Sequence, residues 1–290
     1  MIASGGASGH ARRARPSQVE LLRRHGLRLD KRLGQHFLVD ARIVERIVEA
    51  VGALGPERVV ELACGAGALT YALLDQGWPV TALELDTRMI ELVRDETRGR
   101  DLRIEHADLA ATDFAALLAD ERVVFAGNLP YQVTSAVLFG LLPALRDPRS
   151  AGAVLMVQAE VARRMTAPPG GRDYGVLSVL LQAEVDVERV VRVKPGCFHP
   201  PPEVESAVVR LVRRDEPVDL AEDGRALVKD LFRQRRKQIG GLLRRRLDID
   251  DARVGALLGR TGIESRRRPE TLSVDDFVRL RDVIRAEDLA

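Results

Sequence analysis

Arg58-Val59-Val60-Glu61-Leu62-Ala63-Cys64-Gly65-Ala66-Gly67 is a short apolar strand that runs into small residues, and the segment after it, Leu69–Gln76, has helical periodicity. Small residues at a strand-to-helix junction let a ligand approach the backbone closely, as at the nucleotide-binding turn of doubly wound folds. A Gly-x-Gly alone also fits an ordinary turn, so the rhythm on either side matters. Upstream, Arg42–Val51 carries apolar residues at Ile43, Val44, Ile47, Val48 and Val51, a helical pattern beginning just after Asp40 as its cap. Downstream come a strand at Val80–Leu85, a helix at Thr87–Glu96, and strands at Leu102–His106 and Arg122–Ala126. This alternation of βαβ units predicts an α/β fold with a parallel sheet.

The pattern continues with a helix to about Leu145, a strand at Ala153–Val157 and a helix around Ala159–Met165. Ala167-Pro168-Pro169-Gly170-Gly171-Arg172-Asp173 reads as a loop. A helix near Leu177–Ala183 and β-rich runs at Val185–Val193 and Ser206–Val212 complete the sheet. Beyond Arg214 the β pattern stops. Asp215-Glu216-Pro217 looks like a linker, and Ala226–Leu243, Asp251–Leu258 and Val274–Arg285 carry helical periodicity. The expected organisation is a basic, flexible arm over residues 1–30 with a short helix at Ser17–Arg24, an α/β domain over 31–214, and a small helical domain over 215–290.

A chain of 290 residues with 46% hydrophobic content can bury a substantial core. No apolar run reaches about 18 residues and the N-terminus has no apolar signal core, which argues against a membrane span and against secretion. Cys64 and Cys197 are far apart and lack metal-ligand company, so neither a disulfide framework nor a zinc site is expected; a reducing cytoplasm fits. The Arg-rich leader also fits an organellar presequence.

The carboxyl ends of successive strands are where ligands bind in such sheets, and they carry Glu84, Asp108 and Asn128. Glu84 stands where an acid accepts from ribose hydroxyls, although a solvated strand end looks the same in sequence. Asp108 offers a carboxylate to an adenine amine. Asn128-Leu129-Pro130-Tyr131 suits methylation of an exocyclic base amine, whose lone pair is delocalised and must be drawn back onto nitrogen. An Asn side-chain oxygen beside a backbone carbonyl that leads into a rigid proline supplies two acceptors for that amine, and Tyr131 supplies a stacking face. The same four residues also fit a strand ending in a proline turn.

Net charge is +2, but its distribution is uneven. Arg233, Arg235, Arg236 and Lys237 are followed by Arg244, Arg245 and Arg246 with no acidic residue among them, and a second basic cluster lies in residues 1–40. Such runs serve as solvated helix faces, or hold nucleic-acid phosphates.

Taken together these residues resemble the class I S-adenosylmethionine-dependent rRNA adenine N6,N6-dimethyltransferases of the KsgA (RsmA) type, from Lys31 to about residue 280. Gly34-Gln35-His36-Phe37-Leu38 is similar to the N-terminal signature of that family, Glu61 to Thr70 to its glycine motif, and Glu84, Asp108 and Asn128–Tyr131 to the later motifs in order. Phe198-His199-Pro200-Pro201-Pro202-Glu203 to Leu211 resembles its C-terminal stretch, and Phe232 to Lys237 its second-domain signature. The resemblance implies a Rossmann-like, mostly parallel seven-stranded sheet with S-adenosyl-L-methionine as methyl donor and no metal. Cofactor contacts are implied at His36, Leu38, Ala63, Gly65, Gly67, Glu84, Asp108 and Asn128. Asn128, Leu129, Pro130 and Tyr131 would form the catalytic centre, with Phe198 as a second wall for the base; a Phe before a Pro-rich turn also fits a core anchor. Arg233, Arg235, Arg236, Lys237, Arg244 and Arg245 would contact RNA.

The implied reaction is dimethylation of two adjacent adenines in the 3′-terminal hairpin of 16S rRNA, in the small ribosomal subunit or its precursor and coupled to its biogenesis, by a monomeric cytoplasmic enzyme. Ala63 and Ala136 depart from the family's usual glycine and proline; Ala63 adds a methyl while keeping Gly65 and Gly67. Alternatives are a resistance-type 23S rRNA adenine methyltransferase, disfavoured by Leu129 and the long helical C-terminus, a mitochondrial relative that assists transcription, and a ribosome-assembly factor acting mainly by binding.

Overall fold

The computed structural model of the protein describes residues 17–27, 35–118 and 120–289. Ser17 caps α1 (Gln18–Arg24) by accepting from the Glu20 N–H, and Leu21 and Leu22 are buried in the first of three apolar cores. The short helix expected at Ser17–Arg24 is present, and two adjacent leucines on one turn dock it against the sheet layer. Residues 1–16 and 28–30 of the arm lie outside the described residues.

β1 (Phe37–Leu38) leads to α2 (Ala41–Gly52), capped by the Asp40 carboxylate on the Arg42 N–H. There follow β2 (Arg58–Leu62), α3 (Ala68–Leu74), β3 (Val80–Glu84), α4 (Thr87–Glu96), β4 (Leu102–His106), β5 (Val123–Asn128), α5 (Thr134–Arg146), β6 (Ser150–Gln158), α6 (Ala159–Thr166), α7 (Val176–Gln182), β7 (Val185–Val193), β8 (Phe198–His199) and β9 (Ser206–Arg213). The seven-stranded sheet has the order β4-β3-β2-β5-β6-β9-β7, with β9 antiparallel between β6 and β7 and the other pairings parallel. β2, β3 and β5 are buried along nearly their whole length because helices cover both faces, which is why they read as apolar runs without alternation. The chain steps outward from β2 through β3 to β4 and then returns to place β5 on the other side of β2. A crevice therefore opens above the carboxyl ends of β2 and β5.

Beyond β9 lie α8 (Ala221–Phe232), α9 (Ile239–Leu247), α10 (Asp251–Thr261) and α11 (Val274–Ala286). Ala226–Leu243, expected as one helix, is broken at residues 233–238. Six consecutive polar side chains there offer nothing to bury, and turn bonds such as Lys237 N–H to Gln234 C=O (2.8 Å) replace the helical ladder. These helices do not own a separate core. Leu227, Leu231, Ile239, Leu257, Phe277 and Leu280 pack in one cluster with Tyr174, Val179 and Leu180 from α7 and the loop before it. The Tyr174 hydroxyl donates to the Leu272 carbonyl at 2.8 Å. Glu184, 2% exposed, binds Arg146 Nε at 2.8 Å and Arg225 Nη2 at 3.0 Å, so its buried charge is compensated from both sides of the junction.

Candidate active site

A pocket of about 160 Å³ occupies the crevice, walled by the residues that end β2, β3 and β5, by the loop after β4 and by residues 35–38. Its floor is the glycine turn. Gly65 has φ +53°, and a Cβ there would stand 2.9 Å from the Phe37 ring. Gly67, φ +84°, begins α3, and a Cβ would meet the Tyr71 ring at 2.7 Å. Gly67 is buried and shapes the turn from behind, without lining the pocket. Ala63 holds φ +57°, a left-handed conformation that costs an L-residue roughly 1–2 kcal/mol. Its departure from glycine is therefore a matter of backbone strain as well as of one extra methyl.

Glu84, 8% exposed, accepts from the Gly65 N–H (2.8 Å) and from the Leu85 and Asp86 N–H groups (2.9 Å each). Burial raises its pKa against these three bonds. One of these bonds braces the glycine turn, two close the turn after β3, and the remaining acceptor capacity faces the pocket. Asp108 caps the Ala110 N–H with Oδ1 at 2.9 Å and is exposed at the pocket edge. Glu61 was not singled out in the sequence. It is 1% exposed, lines the pocket, and its Oε2 has no hydrogen-bond partner among the described residues. Burial pushes its pKa up to about 8; Thr70 lowers it in part and the Glu84 charge raises it further. A buried acid with a bare oxygen calls for a cation or a proton. An acid that closes an apolar strand is the signal that could have found it.

The half-buried Asn128 donates through Nδ2 to the His36 carbonyl at 3.0 Å. A carbonyl accepts only, so the contact fixes the amide flip and turns Oδ1 away from it. Gly127 makes this position possible: a Cβ there would lie 2.4 Å from the Leu62 carbonyl, so only glycine lets β5 close on β2 just before Asn128. Leu129 is buried and anchored by its N–H to the Met156 carbonyl at 3.1 Å. Pro130 and Tyr131 complete the wall. The Tyr131 ring stacks on His36 (centroids 5.6 Å, planes 27° apart), and its hydroxyl pairs with the fully buried Ser206 Oγ at 3.0 Å. His36 Nδ1 is in turn 2.8 Å from the Pro200 carbonyl. Leu38 lines the pocket and pairs across to Phe198 in the β1–β8 ladder.

Phe198 requires a correction. It is 4% exposed, sits in the first apolar core and does not line the pocket, so its ring is not an open face opposite Tyr131. The β1–β8 pairing directs it inward beneath Leu38. The face that does meet Tyr131 is the His36 ring. Gln18 of α1 also reaches the pocket wall, a residue that was not among the expected site residues.

The nominated basic residues lie away from this pocket, on the turn at 233–238 and on α9, all exposed. Arg233 pairs with Asp230 (3.1 Å), Arg235 with Glu270 (3.4 Å), Arg244 with Asp251 (3.4 Å), and Arg245 donates to Gln234 Oε1 (2.8 Å). Arg236 and Lys237 make no ion pair among the described residues. No cluster of three His, Cys, Asp or Glu suited to a metal occurs among the described residues, and Cys64 and Cys197 are both unpaired thiols. No described helix is long and apolar enough to cross a membrane.

A parallel sheet closed by an antiparallel pair, with a glycine turn after its first strand in chain order and carboxylates at the next strand ends, defines a class I α/β methyltransferase. Residues 26–285 match the ribosomal RNA adenine dimethylase family, and the chain belongs to that family. It is 40% identical over 267 residues to the ribosomal RNA small subunit methyltransferase A of Geobacter metallireducens, covering 89% of this chain and 96% of that protein. Among solved structures it is similar to a dimethyladenosine transferase from Plasmodium falciparum (TM-score 0.75, 24% identity, 87% of this chain and 98% of that one). It is also similar to the 23S rRNA methyltransferase ErmE (TM-score 0.64, 29% identity, 86% of this chain and 99% of that one).

Proposed function

We propose that the protein transfers methyl groups from S-adenosyl-L-methionine to N6 of two adjacent adenines in the 3′-terminal hairpin of 16S rRNA, within the small subunit or its precursor. The observation that carries this reading is Asn128: its amide nitrogen is spent on the His36 carbonyl, which leaves Oδ1 and the neighbouring Leu129 carbonyl as paired acceptors for the two N–H bonds of a base amine. Drawing on both N–H bonds restores lone-pair density to the nitrogen, and Pro130 holds the two acceptors in fixed relation. Tyr131, backed by His36 and tethered by Ser206, presents its ring to a base splayed out of its loop.

The pocket fits the donor on chemical grounds. The bare Oε2 of Glu61 suits a ligand carrying an ammonium, Glu84 and Asp108 suit ribose hydroxyls and an adenine amine, and the glycine turn admits a close backbone approach. When bound, S-adenosylmethionine supplies a sulfonium methyl already activated for transfer. The protein's part is positioning and electrostatics, with no nucleophile or metal called for.

Residues 31–214 serve as the catalytic unit and 215–290 as an RNA-facing unit, with Arg233, Arg235, Arg236, Lys237, Arg244 and Arg245 toward phosphates. The enzyme acts as a cytoplasmic monomer. A large-subunit target is the second reading, favoured by the likeness to ErmE, whereas relatives at 40% identity carry the small-subunit name. Labelled methyl transfer to small subunits from cells lacking the modification, with large subunits in parallel and nucleoside analysis afterwards, decides between them. Dimethyladenosine in small-subunit RNA, lost in Asn128→Ala with the fold intact, is the expected result. Label confined to large-subunit RNA overturns it, as does an undiminished rate in the variant.

A further inference from the structure

A second cleft, of about 550 Å³, opens at the same end of the sheet as Asn128 but three strands across. Its walls carry Arg163 from α6 and Arg189 and Arg192 from β7, with Glu205 at the start of β9; Ala159 and Ala207 leave room between them. The strand registers fix its place. Asn128 lies opposite Met156, Gln158 opposite Ser206, and Ser206 opposite Val193, so the path from the base-binding wall to this cleft crosses the ends of β6 and β9 and turns to the other face of the sheet at β7. At about 4.8 Å per strand, three steps cover on the order of 14 Å, a distance of a few nucleotides of single-stranded RNA. Ser206 marks the border between the two places: its hydroxyl holds Tyr131 on one face of the sheet, while its neighbours Glu205 and Ala207 line the cleft on the opposite face.

The charges are arranged for an anion. β7 is the outer strand, and its register shifts between Arg189 and Val191, a bulge that re-aims the side chains around it. Arg192 is held by Glu205 (2.7 Å) and Arg163 lies 3.5 Å from Asp173, which fixes both guanidinium groups and leaves one of the three positive charges uncompensated. Arg189 is exposed and makes no ion pair among the described residues. Guanidinium groups present paired donors that match phosphate oxygens.

We propose that this cleft is a phosphate subsite for the substrate RNA, which takes the backbone of nucleotides flanking the target base where the strand passes around the end of the sheet from Tyr131. The proposal deepens the function given above and rests on it, so its test reads RNA binding apart from methyl transfer. The full-length protein is titrated with 3′-terminal hairpin RNA over a range of salt, for wild type, Arg189→Glu and Arg189→Lys, alongside affinity for S-adenosylmethionine. Arg189→Glu is expected to weaken RNA binding about tenfold and to reduce the slope of log affinity against log salt by about one, with donor affinity unchanged, while Arg189→Lys keeps the slope. RNA affinity and salt slope equal to wild type in Arg189→Glu overturn the subsite, as does absence of RNA binding by the wild type. If the wild type binds RNA and the variants behave as expected but no methyl is transferred to rRNA, the proposed reaction fails while the subsite stands.

Discussion

Replacing Glu61 by Gln should change the pH dependence of stability more than any other single substitution in the pocket. In the unfolded chain this carboxyl ionises with its ordinary pKa of 4.5, whereas in the fold burial holds it protonated up to about 8. A carboxyl whose folded pKa is raised gives no penalty below 4.5, a growing one as pH rises toward 8, and a constant one above. The difference of 3.5 units corresponds to about 5 kcal/mol at 1.36 kcal/mol per unit, of which about 3 kcal/mol is already felt at pH 7. Glutamine keeps the shape and removes the ionisation. Denaturant unfolding of wild type and Glu61→Gln at pH 5, 7 and 9 should show similar stability at pH 5 and a variant that gains progressively above it. A ligand ammonium at Oε2 favours the carboxylate, so S-adenosylmethionine should release a proton when it binds the wild type near pH 7 and bind Glu61→Gln more weakly without that release, as calorimetry in buffers of different ionisation enthalpy would read. Parallel stability profiles for the two proteins would refute the assignment of a buried, protonated Glu61.

Ala63→Gly relieves a left-handed alanine but adds freedom to the unfolded chain, for a net gain of about 0.5–1 kcal/mol and about 2 °C in Tm by calorimetry; a lower Tm would show that the methyl packs usefully. Ser206→Ala frees the Tyr131 hydroxyl and should lower kcat/KM for RNA several-fold, with Tyr131→Phe giving the same loss and the double variant no further one; fully additive losses would separate the two residues.

The sheet was legible because buried parallel strands and amphipathic helices leave strong periodic signals, and Val80–Glu84 or Ala41–Gly52 differ from expectation by a residue or so. Its strand ends were legible too, since Glu84 and Asn128 are polar residues terminating apolar runs and Asp108 follows the end of β4 by two residues, and all three line the crevice. What escaped the sequence depends on partners distant along the chain. Phe198 reads as an aromatic near a proline turn, and only its pairing with Leu38, 160 residues away, buries it. His36 acquires its position beside Tyr131 and under Asn128 through contacts of the same kind. The break at residues 233–238 shows the converse, a local lack of apolar side chains that a window spanning Ala226–Leu243 averages away.

The core that α8–α11 share with α7 sets a rule for building chimeras from this fold. A cut at Arg214 would leave Tyr174, Val179 and Leu180 facing water on one fragment and Leu227, Phe277 and Leu280 on the other, with Glu184 stripped of Arg225. The seam that a transplant has to respect therefore runs through the molecule before α7, and a foreign helical unit has to bring its own version of that helix. The sheet and the helices should unfold in one transition for the same reason, since the third core is completed only by residues from both.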